Sequence, residues 1–247
     1  SAPTSRWSST SARRSTPTAS TRRARPSAPT AGSTAASPGT SARGLQGQAV
    51  FGIVQGGTHE DLRRESAQRV AETGVDGLAI GGTLGRDKEE MAGVLALTAP
   101  LLPAEAPKHL LGIGEVDDLL GGVALGLDVF DCAVPTRLAR HGVALAPSPE
   151  TRWRLDLRKG RWVGDREPLV EGCPCPACRR HDRDYVSYLS RAEELTAVRL
   201  IVLHNLTYMR ELTRGARAAI EAGSFEAYRA AVLAGAAPWV ALLQTTG

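Results

Sequence analysis

Beyond residue 46, short apolar runs alternate with longer stretches of helical period. Val50-Phe-Gly-Ile-Val54, Gly77-Leu-Ala-Ile80, His109-Leu-Leu-Gly-Ile113 and Leu127-Asp-Val-Phe130 are short, apolar and flanked by glycine, which predicts buried strands rather than helices. Between them the apolar spacing predicts helices over Glu60–Glu72, Lys88–Leu101 and Val116–Leu125. Repeated strand–helix units imply a parallel sheet covered by helices. Each predicted strand ends in glycines or an acid: Gln55-Gly-Gly57, Gly81-Gly82, Gly112-Ile-Gly114 and Asp131-Cys132. In barrels of such units, chemistry sits at that carboxyl end. Further on, Thr151 to Trp162 alternates in polarity and predicts a strand pair, with a half-buried hairpin favoured over a phosphate-contacting surface. Thr207 to Leu243 predicts helices with an alanine-rich face and a break at Ala222-Gly223-Ser224.

With 247 residues and 42% hydrophobic content, the chain can bury one good core and a small appendage. No apolar run is long enough to cross a membrane, so a soluble cytoplasmic protein is the expectation. The net charge of +4 invites a nucleic-acid reading, but seven arginines and no acid fall in the first 44 residues, leaving −3 for the rest. Overall basicity is therefore no argument for RNA binding. Residues 1 to 46 are built of Ser, Thr, Ala, Pro and Arg with almost no apolar side chain, and are expected to be disordered.

Two groups of residues carry chemistry. Cys173, Cys175 and Cys178, followed by His204, form a C-x-C-x-x-C…H pattern whose thiolates and imidazole can close a tetrahedral zinc shell. With no open position such a site is structural, a staple holding Glu171–Arg183 against a helix expected to start near Val202. A disulfide is the weaker alternative, since Cys173 and Cys175 are too close for easy bridging. The second feature is Asp131, at the end of an apolar strand, where a carboxylate is either a turn or capping residue or a nucleophile able to attack an anomeric carbon.

Phe51-Gly-Ile-Val-Gln-Gly-Gly57, Ile80-Gly-Gly82, Phe130-Asp-Cys-Ala-Val-Pro-Thr-Arg137 and Cys173-Pro-Cys-Pro-Ala-Cys178 with His204-Asn205-Leu206 occur in an order that resembles the tRNA-guanine transglycosylases. The resemblance runs from about Gly47 to Gly235. It implies an α/β fold, the C-terminal half of a (β/α)8 TIM barrel with an inserted zinc-binding subdomain, divided as 47–147 for the partial barrel, 148–206 for the zinc subdomain and 207–247 for helices packing on the barrel. The implied activity exchanges guanine at the tRNA anticodon wobble position for a 7-deazaguanine base in queuosine biosynthesis. By the same resemblance, Asp131 is the nucleophile, Gln55, Gly81, Gly82 and Leu111 hold the base, and Arg137 and Arg140 meet the anticodon loop. The cofactor is structural Zn2+, and the implied partners are tRNA, the deazaguanine base (7-aminomethyl-7-deazaguanine or queuine) and a second copy in a homodimer.

The chain also departs from the family. Its pocket loop Gly81–Met91 is about one residue short, with Thr83 where a leucine is usual. The upstream Asp-Ser-Gly-Gly-Phe-Gln motif, whose aspartate the family uses as general acid/base, is absent, as is Phe-Asp-Glu-Cys. Read one base earlier, however, codons for Arg6 to Arg14 permit Leu-Val-Phe-Asp-Glu-Cys-Thr-Pro, and those for Ser27 to Gly32 permit Arg-Thr-His-Arg-Trp. Residues 1–46 are therefore read as an out-of-frame head, and the chain as written is expected to be inactive. The rival from another class is a non-catalytic zinc and tRNA-binding accessory subunit of the same family.

Overall fold

A computed structural model describes residues 48–246, so the expectations for residues 1–46 lie outside the described residues. Four strands, β1 (Phe51–Val54), β2 (Gly77–Ile80), β3 (Lys108–Leu110) and β4 (Val129–Phe130), form a parallel sheet in the order β1-β2-β3-β4. The crossovers are α1 (Glu60–Glu72), α2 (Lys88–Thr98) and α3 (Val116–Ala124). A 3-10 turn at Ala99–Leu101 ends the second predicted helix, where Pro100 removes a backbone donor. The last two strands are shorter than the sequence implied. Leu111 to Ile113 leave the sheet at Gly112, whose φ of 74° is in the left-handed region, and Leu127 follows a turn at Gly126.

The two faces of this sheet differ. Val54, Leu78, Ile80 and Leu110 point into one core with Ala67 and Val70 of α1 and Val94 and Leu95 of α2. On the other face the register aligns Ile53, Ala79, His109 and Val129 in one row. Within it Ile53 and Val129 are 41% and 42% exposed. Among the described residues, helices cover only the first face.

After β4 come α4 (Val134–Arg140) and an antiparallel pair, β5 (Val143–Leu145) with β6 (Arg154–Asp156). The segment Thr151–Trp162 thus supplies one strand rather than two. Its partner lies upstream, because Pro147, Pro149 and the left-handed Arg152 and Trp153 turn the chain before β6 and a 3-10 turn at Gly160–Trp162 ends the segment. Next follow α5 (Pro176–Arg180), α6 (Arg183–Arg191) and the long α7 (Leu195–Glu221). That helix starts seven residues before the expected Val202 and runs unbroken through positions 206 and 207. Its apolar face is continuous from Ala197 through Ile201 to Tyr208 and Leu212, so packing carries the helix across both points. The break at Ala222–Ser224 is as the sequence implied, and α8 (Phe225–Leu233) and α9 (Pro238–Thr246) pack back on α7.

Asn205 locks this second part. Its side chain, fully buried, accepts from Leu145 N at 2.7 Å and donates to Pro135 O at 2.9 Å and Val143 O at 3.1 Å. Asn205→Ala strands three backbone groups without water, each costing about 1 kcal/mol or more. Urea unfolding is expected to show a loss of about 3 kcal/mol. A loss below ~1 kcal/mol, the worth of one ordinary hydrogen bond, would mean those groups find other partners.

Candidate active site and metal centre

The metal centre is assembled from two elements. Cys173 and Cys175 lie on the loop entering α5, Cys178 on α5 itself, and His204 on α7. Their ligand atoms fall within 4.8 Å of one another, and His204 Nδ1 is 3.6, 3.5 and 3.3 Å from the sulfurs of Cys173, Cys175 and Cys178. The other ring nitrogen, Nε2, lies 2.7 Å from Leu145 O, an acceptor only. That contact assigns the proton to Nε2 and leaves the Nδ1 lone pair directed at the sulfurs, the arrangement a metal-binding imidazole requires. Cys175 Sγ accepts from Cys178 N at 3.2 Å and caps α5. The neighbouring thiols of Cys173 and Cys178, and then His204, hold the Cys175 thiol far below the ordinary thiol range, which favours the thiolate. All four donors are soft or borderline and converge without a carboxylate, so the set fits zinc.

The residues expected at the base form one contact chain at the carboxyl end of the sheet. A Cβ on Gly81 would lie 2.9 Å from both Ile53 and Leu111, and one on Gly82 would lie 2.7 Å from Gln55 Oε1. Gln55, Gly81, Gly82 and Leu111 therefore lie close together, and a larger residue at either glycine would displace the side chains of Leu111, Ile53 or Gln55. A cleft of about 370 Å³ beside them is lined by Gly82, Leu84, Leu111, Gly112, Glu115 and Arg137, among others. Arg140 is exposed and lines a separate depression with Gly142 and Arg158, away from this cleft.

Asp131 follows β4 directly, and its carboxylate is 61% exposed. Oδ1 accepts from Gly112 N at 3.1 Å and lies 3.0 Å from His109 Nε2. Gly112 lines the cleft, so Asp131 is tied to it through that amide although neither Asp131 nor Gln55 belongs to its walls. Both lie toward the uncovered face of the sheet. His109 was not legible in the sequence as a site residue. Its only signal was alternation, since a strand places residues 109 and 111 on one face and the parallel neighbour carries 129 and 131 there.

The cleft's outer wall is an ion network the sequence did not reveal. Lys88 Nζ lies 3.1, 2.7 and 3.0 Å from Glu115, Asp117 and Asp118, while Arg152 and Arg154 each lie 2.7 Å from Glu115. Burial alone would raise the Glu115 carboxyl, but Lys88, Arg152 and Arg154 outweigh it and keep the group below its usual range. The network ties α2, α3 and β6 around the cleft. Its acids are neutralised by the protein's own cations.

Comparison with known proteins gives a consistent answer. The sequence model of the family described as queuine tRNA-ribosyltransferase matches residues 4–237. The queuine tRNA-ribosyltransferase of Roseiflexus sp. strain RS-1 is 48% identical over 183 residues, covering 74% of this chain and 46% of that protein. Those of Solidesulfovibrio magneticus and Syntrophobacter fumaroxidans are each 45% identical, covering 76% of this chain and 49% and 50% of theirs. The chain spans about half the length of the curated relatives it matches. With motifs, parallel sheet and Cys3His cluster in agreement, the chain belongs to the queuine tRNA-ribosyltransferase family.

Proposed function

We propose that this chain is the C-terminal part of an enzyme that exchanges guanine at the anticodon wobble position of tRNA for a 7-deazaguanine base. The observation that carries the reading is Asp131, an exposed carboxylate held by Gly112 N and His109 beside a glycine-lined cleft. A carboxylate so placed suits attack on C1′ of a ribose: the bond from C1′ to Asp131 forms as the bond from C1′ to the base breaks. The departing base takes its proton from a general acid, a role the family resemblance gives to an upstream aspartate outside this chain. Attack by the incoming deazaguanine then reforms a glycosidic bond and releases Asp131. Gln55, Gly81, Gly82 and Leu111 would bind the base, since one contact chain of a polar amide, glycine backbone and an apolar side chain suits a flat heterocycle. Arg137 in the cleft and Arg140 farther along α4 would contact RNA phosphates as forked cations.

The sheet would form half of a (β/α)8 barrel. Its four parallel strands, the helices that the described residues place on one face, and the half-length match to the relatives support that reading. Zinc would be held by Cys173, Cys175, Cys178 and His204, supplying folding free energy rather than a catalytic step. Among the described residues no helix is long and apolar enough to cross a membrane, and all four cysteines are free. A cytoplasmic setting accords with thiolate ligands. A homodimer of the whole protein is carried by the family resemblance. The non-catalytic accessory reading is disfavoured, because metal binding gives no reason for an exposed, doubly held Asp131.

In the whole protein carrying this segment, tRNA is expected to form an adduct that survives denaturing electrophoresis, and Asp131→Asn to abolish it while leaving zinc content unchanged. No adduct from the unsubstituted protein would favour the accessory reading. Stoichiometric zinc is also expected by elemental analysis. Cys175→Ser should lower its content and destabilise the fold by several kcal/mol, with faster amide exchange over residues 171–180 and 143–145. Unchanged stability in a variant that has lost zinc would remove the structural role.

A further inference from the structure

The buried stripe of α1 is Arg63, Ser66, Ala67 and Val70, at the i, i+3, i+4, i+7 spacing of an inward helix face, yet it begins with a charge. Arg63 is 0% exposed. Its Nε donates to Gly57 O at 2.8 Å, Nη1 to Val54 O at 3.1 Å and Gly81 O at 3.0 Å, and Nη2 to Thr83 O at 3.2 Å. No acid balances it among the described residues, and burial alone moves its pKa, downward. An unpaired buried cation is costly for a fold, and an apolar side chain would fill the same space at less cost. Four hydrogen bonds from a cation to carbonyl oxygens offset part of that.

What the guanidinium achieves is geometric. The four carbonyls belong to two loops, 54–57 after β1 and 81–83 after β2, which carry Gln55 and Gly82. A forked donor can bridge both loops, whereas the point charge of a lysine cannot. With the carbonyls of Gly81 and Thr83 drawn to Arg63, the N–H groups of Gly82, Thr83 and Leu84 have no protein acceptor among the described residues. Gly82 and Leu84 line the cleft. We propose that Arg63 is a positioning residue for base recognition: it fixes the peptide orientation of residues 81–84, so that these amides stay available to acceptor atoms of a purine-like base, and it sets the distance from Gln55 to Gly82. The inference rests on the reading of the cleft as the base pocket and adds the device that shapes it.

The test, in the whole protein carrying this segment, pairs calorimetric titration of 7-deazaguanine with amide hydrogen exchange at Gln55 and Gly81, whose N–H groups are bonded to Ser66 Oγ and Val54 O, in Arg63→Ala and Arg63→Lys. Arg63→Ala is expected to weaken binding about tenfold or more, the equivalent of roughly one lost hydrogen bond, and to speed exchange at those amides. Methylguanidinium added to Arg63→Ala should restore both, while Arg63→Lys, which keeps the charge but not the fork, stays weak. Wild-type affinity in either variant would overturn the proposal. So would rescue of stability without rescue of affinity, which marks Arg63 as a core cap alone. Should Arg63→Ala fail to fold, Arg63→Lys gives the same decision. If the unsubstituted whole protein does not bind 7-deazaguanine, the base-pocket reading falls. Exchange at Gln55 and Gly81 in Arg63→Lys then decides the positioning role, and unchanged rates reject it.

Discussion

The adjacent side chains His204 and Asn205 hold together everything downstream of β4. In the β5–β6 pair, Ala144 faces its partner strand, which turns the backbone groups of Val143 and Leu145 outward. An edge strand with such groups unpaired in a protein interior would be costly. Here α7 closes that edge with side chains instead of a further strand: Leu145 O meets His204 Nε2, while Leu145 N and Val143 O meet Asn205. The same two residues reach on to the sulfurs and to Pro135 in α4. A metal held by His204 would therefore brace the strand edge and the helix that follows Asp131. The structural site and the candidate nucleophile are linked through the short segment from Asp131 to Pro135, at the start of α4, rather than through direct contact.

This linkage explains which parts of the fold were legible in the sequence. β2 and α1 matched their predicted ranges because glycine punctuation and helical period both speak locally. The ligand set Cys173, Cys175, Cys178 and His204 was legible because metal ligands are chemically rare and their spacing is constrained. The start of α7 was not, because it is set by Leu200 and Ile201, which pack in the clusters that hold Ala177 of α5 and Val186 of α6, while Leu195 is exposed and Glu194 makes no capping bond. The partner of β6 was also hidden. Strand alternation tells which residues share a face but not which strand lies beside them, and Pro147 and Pro149, which redirect the chain, precede the segment whose alternation was legible.

At the candidate site the pattern repeats. Asp131, Gln55 and the glycines could be found because an acid or a glycine pair at a strand end is locally odd. Arg63 could not, because Arg63-Arg64 reads as a pair of solvated cations. Arg64 fits that description, bonded at the surface to Glu60, and its neighbour does not. Only the helix period separates the two, and it assigns Arg63 to the apolar stripe. Lys88 and Glu115 were hidden for a different reason: each is an ordinary charged residue near a helix start, and the ion network appears only when α2 and α3 are set side by side by the sheet.

The sheet's two faces then constrain what can complete the site. Ile53, His109 and Val129 lie in one row on the face that no helix of the described residues covers, and His109 and Asp131 are hydrogen-bonded at its upper end. Apolar side chains of that size exposed together on a sheet favour burial against another layer, by about 25 cal/mol for each Å² removed from water. Any polypeptide that packs on this face to cover Ile53 and Val129 must also approach the Asp131 carboxylate. Such a layer would strip water from around Asp131 and strengthen its electrostatic interactions. Closure of the core and desolvation of the candidate nucleophile are therefore one event in this fold, not two.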